Sequence, residues 1–151
     1  MGSATALRYD HTKSPVPISG MIVDSSYCIF KEVAEELVKM MMPGMPPEAI
    51  MGMMWPQVCA QVKQATGGLE LDTLNPVEAA PQRTIPGLFL HAIDDNLIPM
   101  SHTERNFEAY GGPTKDVSYF EGDHNSERPE DTNSNCITFL TTHLLAQSAE
   151  N

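Results

Sequence analysis

Three short strand-like runs alternate with helical patterns, and this alternation constrains the fold of the 151-residue chain most strongly. The strand-like runs lie at 18–26, 87–93 and 116–122. The helical patterns cover 3–10, 30–41, 47–65, 101–112 and 134–147. Strands that alternate with helices indicate βαβ units and a parallel sheet covered on both faces. We therefore predict an α/β fold, a three-layer α/β/α sandwich with about three parallel strands.

Two of the helical patterns carry local start or stop signals. The stretch 30–41 places Val33 and Leu37 on one apolar stripe, and the breaker P-G-M-P-P follows it. Further along, Ser101 and Glu104 form an S-x-x-E capping box. The box predicts that the fourth pattern starts as a helix at Ser101.

Charge and hydropathy exclude several classes of partner. The net charge of −11 at pH 7 argues against nucleic acid and anionic membrane surfaces, because both attract basic proteins. No apolar run approaches the roughly 18 residues of a membrane-spanning helix. We therefore predict no nucleic-acid partner and no transmembrane segment.

The cysteines and histidines predict neither a disulfide framework nor a metal site. Cys28, Cys59 and Cys136 are an odd number without a C-x-x-C pair, which favours a reducing compartment, and we predict a cytoplasmic location. The histidines lack the i,i+4 spacing of a helical zinc site. We predict no metal and no cofactor.

Polar residues follow two of the strand-like runs where those runs end. The loop at 91–99 offers an aspartate, Asp94 or Asp95, and the loop at 121–129 offers His124. Functional side chains collect beyond the carboxyl ends of parallel strands. A carboxylate that accepts the Nδ1–H of an imidazole leaves the other ring nitrogen free to act as a base. The two loops are therefore expected to meet as an acid–base pair.

Motifs in these loops resemble those of a known superfamily. They are D-x-x-I-P (Asp95, Ile98, Pro99) and G-x-H-N-x-x-R-P (Gly122, His124, Asn125, Arg128, Pro129). The first resembles the acid loop of the α/β-hydrolase superfamily, whose triad order is Ser, Asp, His. The second resembles the histidine loop of its intracellular serine-hydrolase branch, which includes family-17 depalmitoylase-like and serine aminopeptidase-like proteins.

The resemblance implies roles for individual residues. Asp95, rather than Asp94, matches the catalytic acid, and His124 matches the catalytic base. Arg128 is expected to orient the histidine loop through a carboxylate rather than to bind substrate. Asp94 and Asp123 are expected to be solvated neighbours of the site.

The opening of the chain resembles the segment that follows the nucleophilic serine in this branch. Met1–Tyr9 matches the residues after that serine, so the serine would precede Met1. Residues 1–151 are then expected to be the C-terminal half of a hydrolase domain. We predict a serine hydrolase-type fragment for ester, thioester or peptide-like acyl bonds. It would act on a small-molecule or acyl substrate only when completed by its N-terminal half.

Other residues offer weaker candidates for chemistry and for a lid. Ser3, Ser25 and Ser26 are poor nucleophile candidates because none stands in a G-x-S-x-G context. Residues 30–68 contain many methionines, which suit either an adaptable lid over an acyl chain or soft core packing.

A second function class stays open beside the hydrolase. The chain is also consistent with a non-catalytic binding module that uses its exposed strand edge and its methionine-rich helices. The first strand, around Met21–Asp24, would be an exposed edge, and we expect self-association through it and marginal stability. A further alternative is a fragment that complements a separately encoded N-terminal half.

Overall fold

A three-stranded parallel sheet is present in the computed structural model of the chain, which describes residues 2–146. The strands are β1 (Met21–Asp24), β2 (Gly87–Ala92) and β3 (Lys115–Phe120), in the order β1-β2-β3. Val23 pairs with Phe89, and Phe89 pairs with Val117. The helices are α1 (Gly2–Arg8), α2 (Phe30–Met41), α3 (Pro47–Thr66), α4 (Pro76–Ala79), α5 (Met100–Ala109) and α6 (Glu130–Ala146). The predicted α/β fold with three parallel strands is confirmed.

The chain divides into two compact units. The sheet unit contains the residues up to Cys28 together with those from Pro76 onward. The helical unit is Ile29–Asn75 and contains α2 and α3. None of the helices in the described residues combines the length and the apolar character that crossing a membrane requires.

Helices cover both faces of the sheet, which is why all six residues of β2 are buried. On one face Leu7 of α1 belongs to a buried cluster with Val23, Ala80, Phe89 and Tyr110, and Phe107 and Ala109 of α5 pack against this cluster. On the other face Cys136 and Phe139 of α6 pack against Leu88, Leu90, Ala92 and Phe120. The continuous apolar run of β2 is typical of a parallel strand buried on both sides.

The helical unit is a helix pair closed by local polar contacts. The bounds of α2 agree with the predicted 30–41, and α3 continues through Pro56 without interruption. Gly67 ends α3 in the left-handed region at φ +73°, a conformation that glycine adopts without a steric penalty. The Trp55 indole donates a hydrogen bond to the Asp72 carboxylate at 2.7 Å, which ties α3 to the segment that follows it.

The methionines of the helical unit are mostly on its surface. Met51 is buried, whereas six others are exposed: Met40, Met41, Met42, Met45, Met53 and Met54. Core packing therefore does not account for the methionine content of residues 30–68.

Candidate functional site

Asp95 and His124 meet beyond the carboxyl ends of two neighbouring strands. Asp95 lies in the loop after β2, and His124 lies in the loop after β3. The Nδ1 atom of His124 lies 2.7 Å from Oδ2 of Asp95, so Nδ1 carries a proton and donates it to the carboxylate. The structure thus brings together the two residues that the sequence singled out, whereas Asp94 is exposed to solvent.

Both oxygens of the Asp95 carboxylate accept hydrogen bonds. Its Oδ1 accepts hydrogen bonds from the backbone N–H groups of Leu97 at 2.9 Å and Ile98 at 2.8 Å. Its side chain is fully buried, while the His124 side chain is 29% exposed. Oδ2 is therefore directed at the imidazole by a turn within the acid loop itself.

The outer nitrogen of the His124 ring, Nε2, is free for chemistry. Among residues 2–146, no hydrogen bond occupies Nε2. With Nδ1 protonated, Nε2 carries a lone pair and can accept a proton. The pair has the geometry of an oriented general base.

A second histidine, His91, supports the acid loop from within β2. Its sequence context gave no sign of this role. His91 is fully buried in β2. Its Nε2–H donates to the Ile98 carbonyl at 3.0 Å, and its Nδ1 accepts from the Thr103 hydroxyl at 2.8 Å. Burial lowers the pKa of His91, although the Asp95 carboxylate, 3.9 Å from Nε2, acts in the opposite direction. His91 is therefore neutral at pH 7.

This burial predicts a pH-dependent loss of stability. Below the unfolded-state pKa of about 6.5, the unfolded chain protonates His91 while the folded chain keeps it neutral. The free energy of unfolding is therefore highest above the unfolded-state pKa. It falls as the pH decreases toward the lower pKa that His91 has in the folded chain. We expect the urea midpoint to fall between pH 7.5 and pH 5.5, and to fall less in His91→Gln, which retains an amide donor but cannot titrate. An identical fall in both proteins contradicts the prediction.

The histidine loop is shaped by a glycine and a short polar turn. Gly122 has φ +125°, which side chains rarely adopt, and an added Cβ would lie 2.7 Å from Cβ of Ser126. Asp123 accepts hydrogen bonds from the Asn125 N–H and the Ser126 hydroxyl, both at 2.9 Å. The Ser126 hydrogen bond is the main cause of the lowered pKa of Asp123. The glycine and these bonds place His124 within one compact turn.

Arg128 links the histidine loop to the end of β1. It donates to both carboxylate oxygens of Asp24, from Nε at 2.8 Å and from Nη2 at 3.0 Å. It also donates from Nη1 to the Ser126 carbonyl at 2.5 Å. Asp24 lies 104 positions away in sequence, and no local signal marked it as the partner of Arg128.

The serines considered as nucleophiles already make hydrogen bonds elsewhere. Ser3 donates to the Asp24 carbonyl at 2.7 Å and accepts from the Asp24 N–H at 3.2 Å. Ser25 donates to the Asp24 carboxylate at 3.0 Å, and Ser26 donates to the Tyr27 carbonyl at 3.1 Å. None of these hydroxyls contacts His124 among the hydrogen bonds of the described residues.

Within the described part of each unit, thiols and other metal-ligating side chains form no further candidate site. None of the three cysteines forms a disulfide, and Sγ of buried Cys28 lies 2.9 Å from Nδ1 of His102. Taken singly, neither unit brings three histidine, cysteine or carboxylate side chains together around one point in its described part.

Several solved protein structures are similar in fold to this chain. No protein-family model matches the sequence, and no curated protein matches it significantly. The Pyrococcus furiosus esterase Pf2001 superposes with a TM-score of 0.61 at 16% identity, over 95% of this chain and 51% of that one. An acetyl xylan esterase from Paenibacillus sp. R4 gives 0.62 at 14% identity, over 94% of this chain and 42% of that one.

A third solved structure extends the same likeness. Rv0554 from Mycobacterium tuberculosis gives a TM-score of 0.57 at 16% identity, over 93% of this chain and 62% of that one. The chain thus spans about half the length of the solved esterases that it matches. The likeness shows that the described residues share the α/β fold of these solved structures.

Proposed function

We propose that Asp95 and His124 are the acid and base of a serine hydrolase-type site for ester, thioester or peptide-like acyl bonds. The observation that carries the proposal is the 2.7 Å hydrogen bond between a fully buried carboxylate and a partly exposed imidazole. Two neighbours of similar fold are named as esterases, which is consistent with this reaction class.

The pair would act as an oriented base and then as an acid. Asp95 keeps the proton on Nδ1 and stabilises the imidazolium that forms. Nε2 of His124 takes the proton from a serine hydroxyl as its oxygen attacks the carbonyl carbon. The same proton then passes to the leaving group as the acyl-enzyme forms, and water repeats the sequence to release the acid.

The nucleophile is proposed to be a serine immediately upstream of α1. The Ser3 hydroxyl binds the backbone of Asp24, so α1 begins beside the carboxyl end of β1. A serine entering α1 from upstream would therefore lie at the same edge of the sheet as the acid and histidine loops. Activity in this proposal requires that serine, and no described serine hydroxyl contacts His124.

An activity probe tests the proposal. The 151-residue chain and the chain extended by its upstream coding sequence are each treated with a fluorophosphonate and with p-nitrophenyl acetate. We expect labelling and hydrolysis only in the extended protein, with both abolished in its His124→Ala variant and retained in His143→Gln. Labelling that persists at the wild-type rate in His124→Ala contradicts the proposal, as does an extended protein that remains unlabelled.

The second candidate is a non-catalytic binding module. The six exposed methionines of the helical unit favour it, because apolar surface of this kind suits an adaptable contact. Self-association through the edge of β1, the lid role of residues 30–68 and the cytoplasmic location also stay predictions. A fluorophosphonate-inactive extended protein that binds a partner would support this candidate over the hydrolase.

A further inference from the structure

We infer that Asp24 and Arg128 form a clamp that positions the His124 loop for proton transfer, an inference that rests on the proposed hydrolase function. Both are positioning residues, since neither side chain contacts the imidazole ring among the described contacts. The clamp joins the carboxyl end of β1 to the backbone of the loop that carries the base. No local pattern in the sequence marks Asp24 as the partner of Arg128.

The first half of the clamp is a bidentate ion pair. The Arg128 guanidinium donates from Nε and Nη2 to the two oxygens of Asp24, at 2.8 and 3.0 Å. The side chains are only 24% and 31% exposed. A planar guanidinium fixes both distance and angle to a carboxylate in this arrangement, which a lysine ammonium does not do.

The second half of the clamp consists of contacts between the Arg128 guanidinium and two backbone carbonyls of the histidine loop. Nη1 donates to the Ser126 carbonyl at 2.5 Å, and both Nη atoms lie 3.4 Å from the His124 carbonyl. The guanidinium carbon also lies 4.8 Å from the centre of the Phe120 ring, at the end of β3. Arg128 therefore restrains the backbone of His124 itself.

Asp24 is restrained in turn by Ser3 of α1 and by Ser25, the residue that follows β1. Its carboxylate accepts a hydrogen bond from the Ser25 hydroxyl at 3.0 Å, and its backbone N–H and C=O are both bound by Ser3. A continuous set of contacts therefore runs from the start of α1 through Asp24 and Arg128 to the histidine loop. In the proposed enzyme this set fixes the separation between nucleophile and base, where a displacement of about 1 Å can reduce the rate about 10²-fold.

A purely stabilising ion pair is the alternative role. Such a pair would change the fraction of folded molecules but not the Asp95–His124 geometry within each folded molecule. The Nδ1–H proton of a histidine bonded to a carboxylate gives a strongly deshielded NMR resonance. That resonance reports the geometry of folded molecules and requires no catalysis.

The spectroscopic test uses the 151-residue chain and five variants. Asp95→Asn identifies the resonance by abolishing it. We expect Arg128→Met and Asp24→Asn to weaken or abolish it, Arg128→Lys to retain part of it, and Arg8→Met, which changes an exposed arginine, to leave it unchanged. If Arg128→Met does not fold, as judged by circular dichroism, the isosteric Asp24→Asn decides the result.

The kinetic test uses the extended protein, with rates expressed per site titrated by fluorophosphonate. We expect kcat per titrated site to fall about 10²-fold in Asp24→Asn and Arg128→Met, with KM nearly unchanged. An unaltered resonance and an unaltered kcat in both variants overturn the clamp while leaving the hydrolase proposal intact. A resonance that survives Asp95→Asn instead overturns the proposed acid–base pair.

Discussion

Asp95→Asn is expected to reduce kcat about 10⁴-fold in the proposed hydrolase, measured on the chain extended by its upstream coding sequence, with little change in KM. The two backbone N–H groups of Leu97 and Ile98 keep an oxygen at the Oδ1 position. The amide nitrogen of asparagine must then occupy the Oδ2 position and present a donor to His124. Nδ1 consequently loses its proton, Nε2 carries it, and the ring can no longer accept a proton from the serine.

The neighbouring aspartate provides a matched control. Asp94 is exposed and is held in the loop through its backbone N–H, which donates to the Gly122 carbonyl at 3.0 Å. We expect Asp94→Asn to change kcat by less than about twofold, because the carboxylate lies outside the hydrogen-bonded pair. Hydrolysis of p-nitrophenyl acetate measures both variants, and ¹⁵N NMR of the ring nitrogens reports the tautomer. A loss below tenfold in Asp95→Asn contradicts the assignment of the acid.

Phe89→Ala is expected to decrease the free energy of unfolding by about 3–5 kcal/mol. Phe89 is fully buried at the centre of β2. Its ring makes edge-to-face contacts with Phe107 at a centroid distance of 5.6 Å and with Tyr110 at 5.2 Å. Truncation leaves a cavity between the sheet and α5 that neighbouring rigid rings cannot fill. Because domains of this size are stable by only about 5–15 kcal/mol, the loss is a large fraction of the total.

Tyr119→Ala in the adjacent strand is the control for this substitution. Tyr119 is also an aromatic residue in the sheet, but it is 41% exposed, so less apolar area returns to water. We expect its effect to be less than half of that of Phe89→Ala. Urea denaturation followed by far-ultraviolet circular dichroism measures both. Equal losses in the two variants would mean that the face covered by α5 is not a packed core.

Patterns of hydropathy along the chain were sufficient to predict the strands and several helices. The unbroken apolar run of β2 predicted a strand buried on both faces, and α2 has its predicted bounds because breakers flank its apolar stripe. The polar residues that follow β2 and β3 were enough to single out two facing loops. Neighbouring parallel strands end at the same edge of a sheet, so Asp95 and His124 meet as a direct consequence of strand order.

Helix starts were less predictable, because tertiary contacts compete with local signals. The capping box at Ser101 and Glu104 does not form, and α5 begins at Met100 after Pro99. The acid loop is folded by the Asp95 carboxylate and by His91, so the chain enters the helix one residue earlier. Pro99 takes the N-cap position without a side-chain cap, and its carbonyl accepts a hydrogen bond from the His102 N–H at 2.9 Å. Similarly, α6 begins at Glu130, four residues before the predicted 134.

The order of elements and the two catalytic candidates were thus present in the sequence as periodicity and short motifs, which act over a few neighbouring residues. The residues that support the acid–base pair could not be recognised from such local patterns. His91 looked like one more residue of an apolar strand, and its partner Thr103 lies 12 positions away. Asp24 and Arg128 are brought together over 104 positions by the pairing of β1 with β2 and of β2 with β3. Contacts of that kind arise only when the sheet assembles, because no local preference of either residue specifies the other.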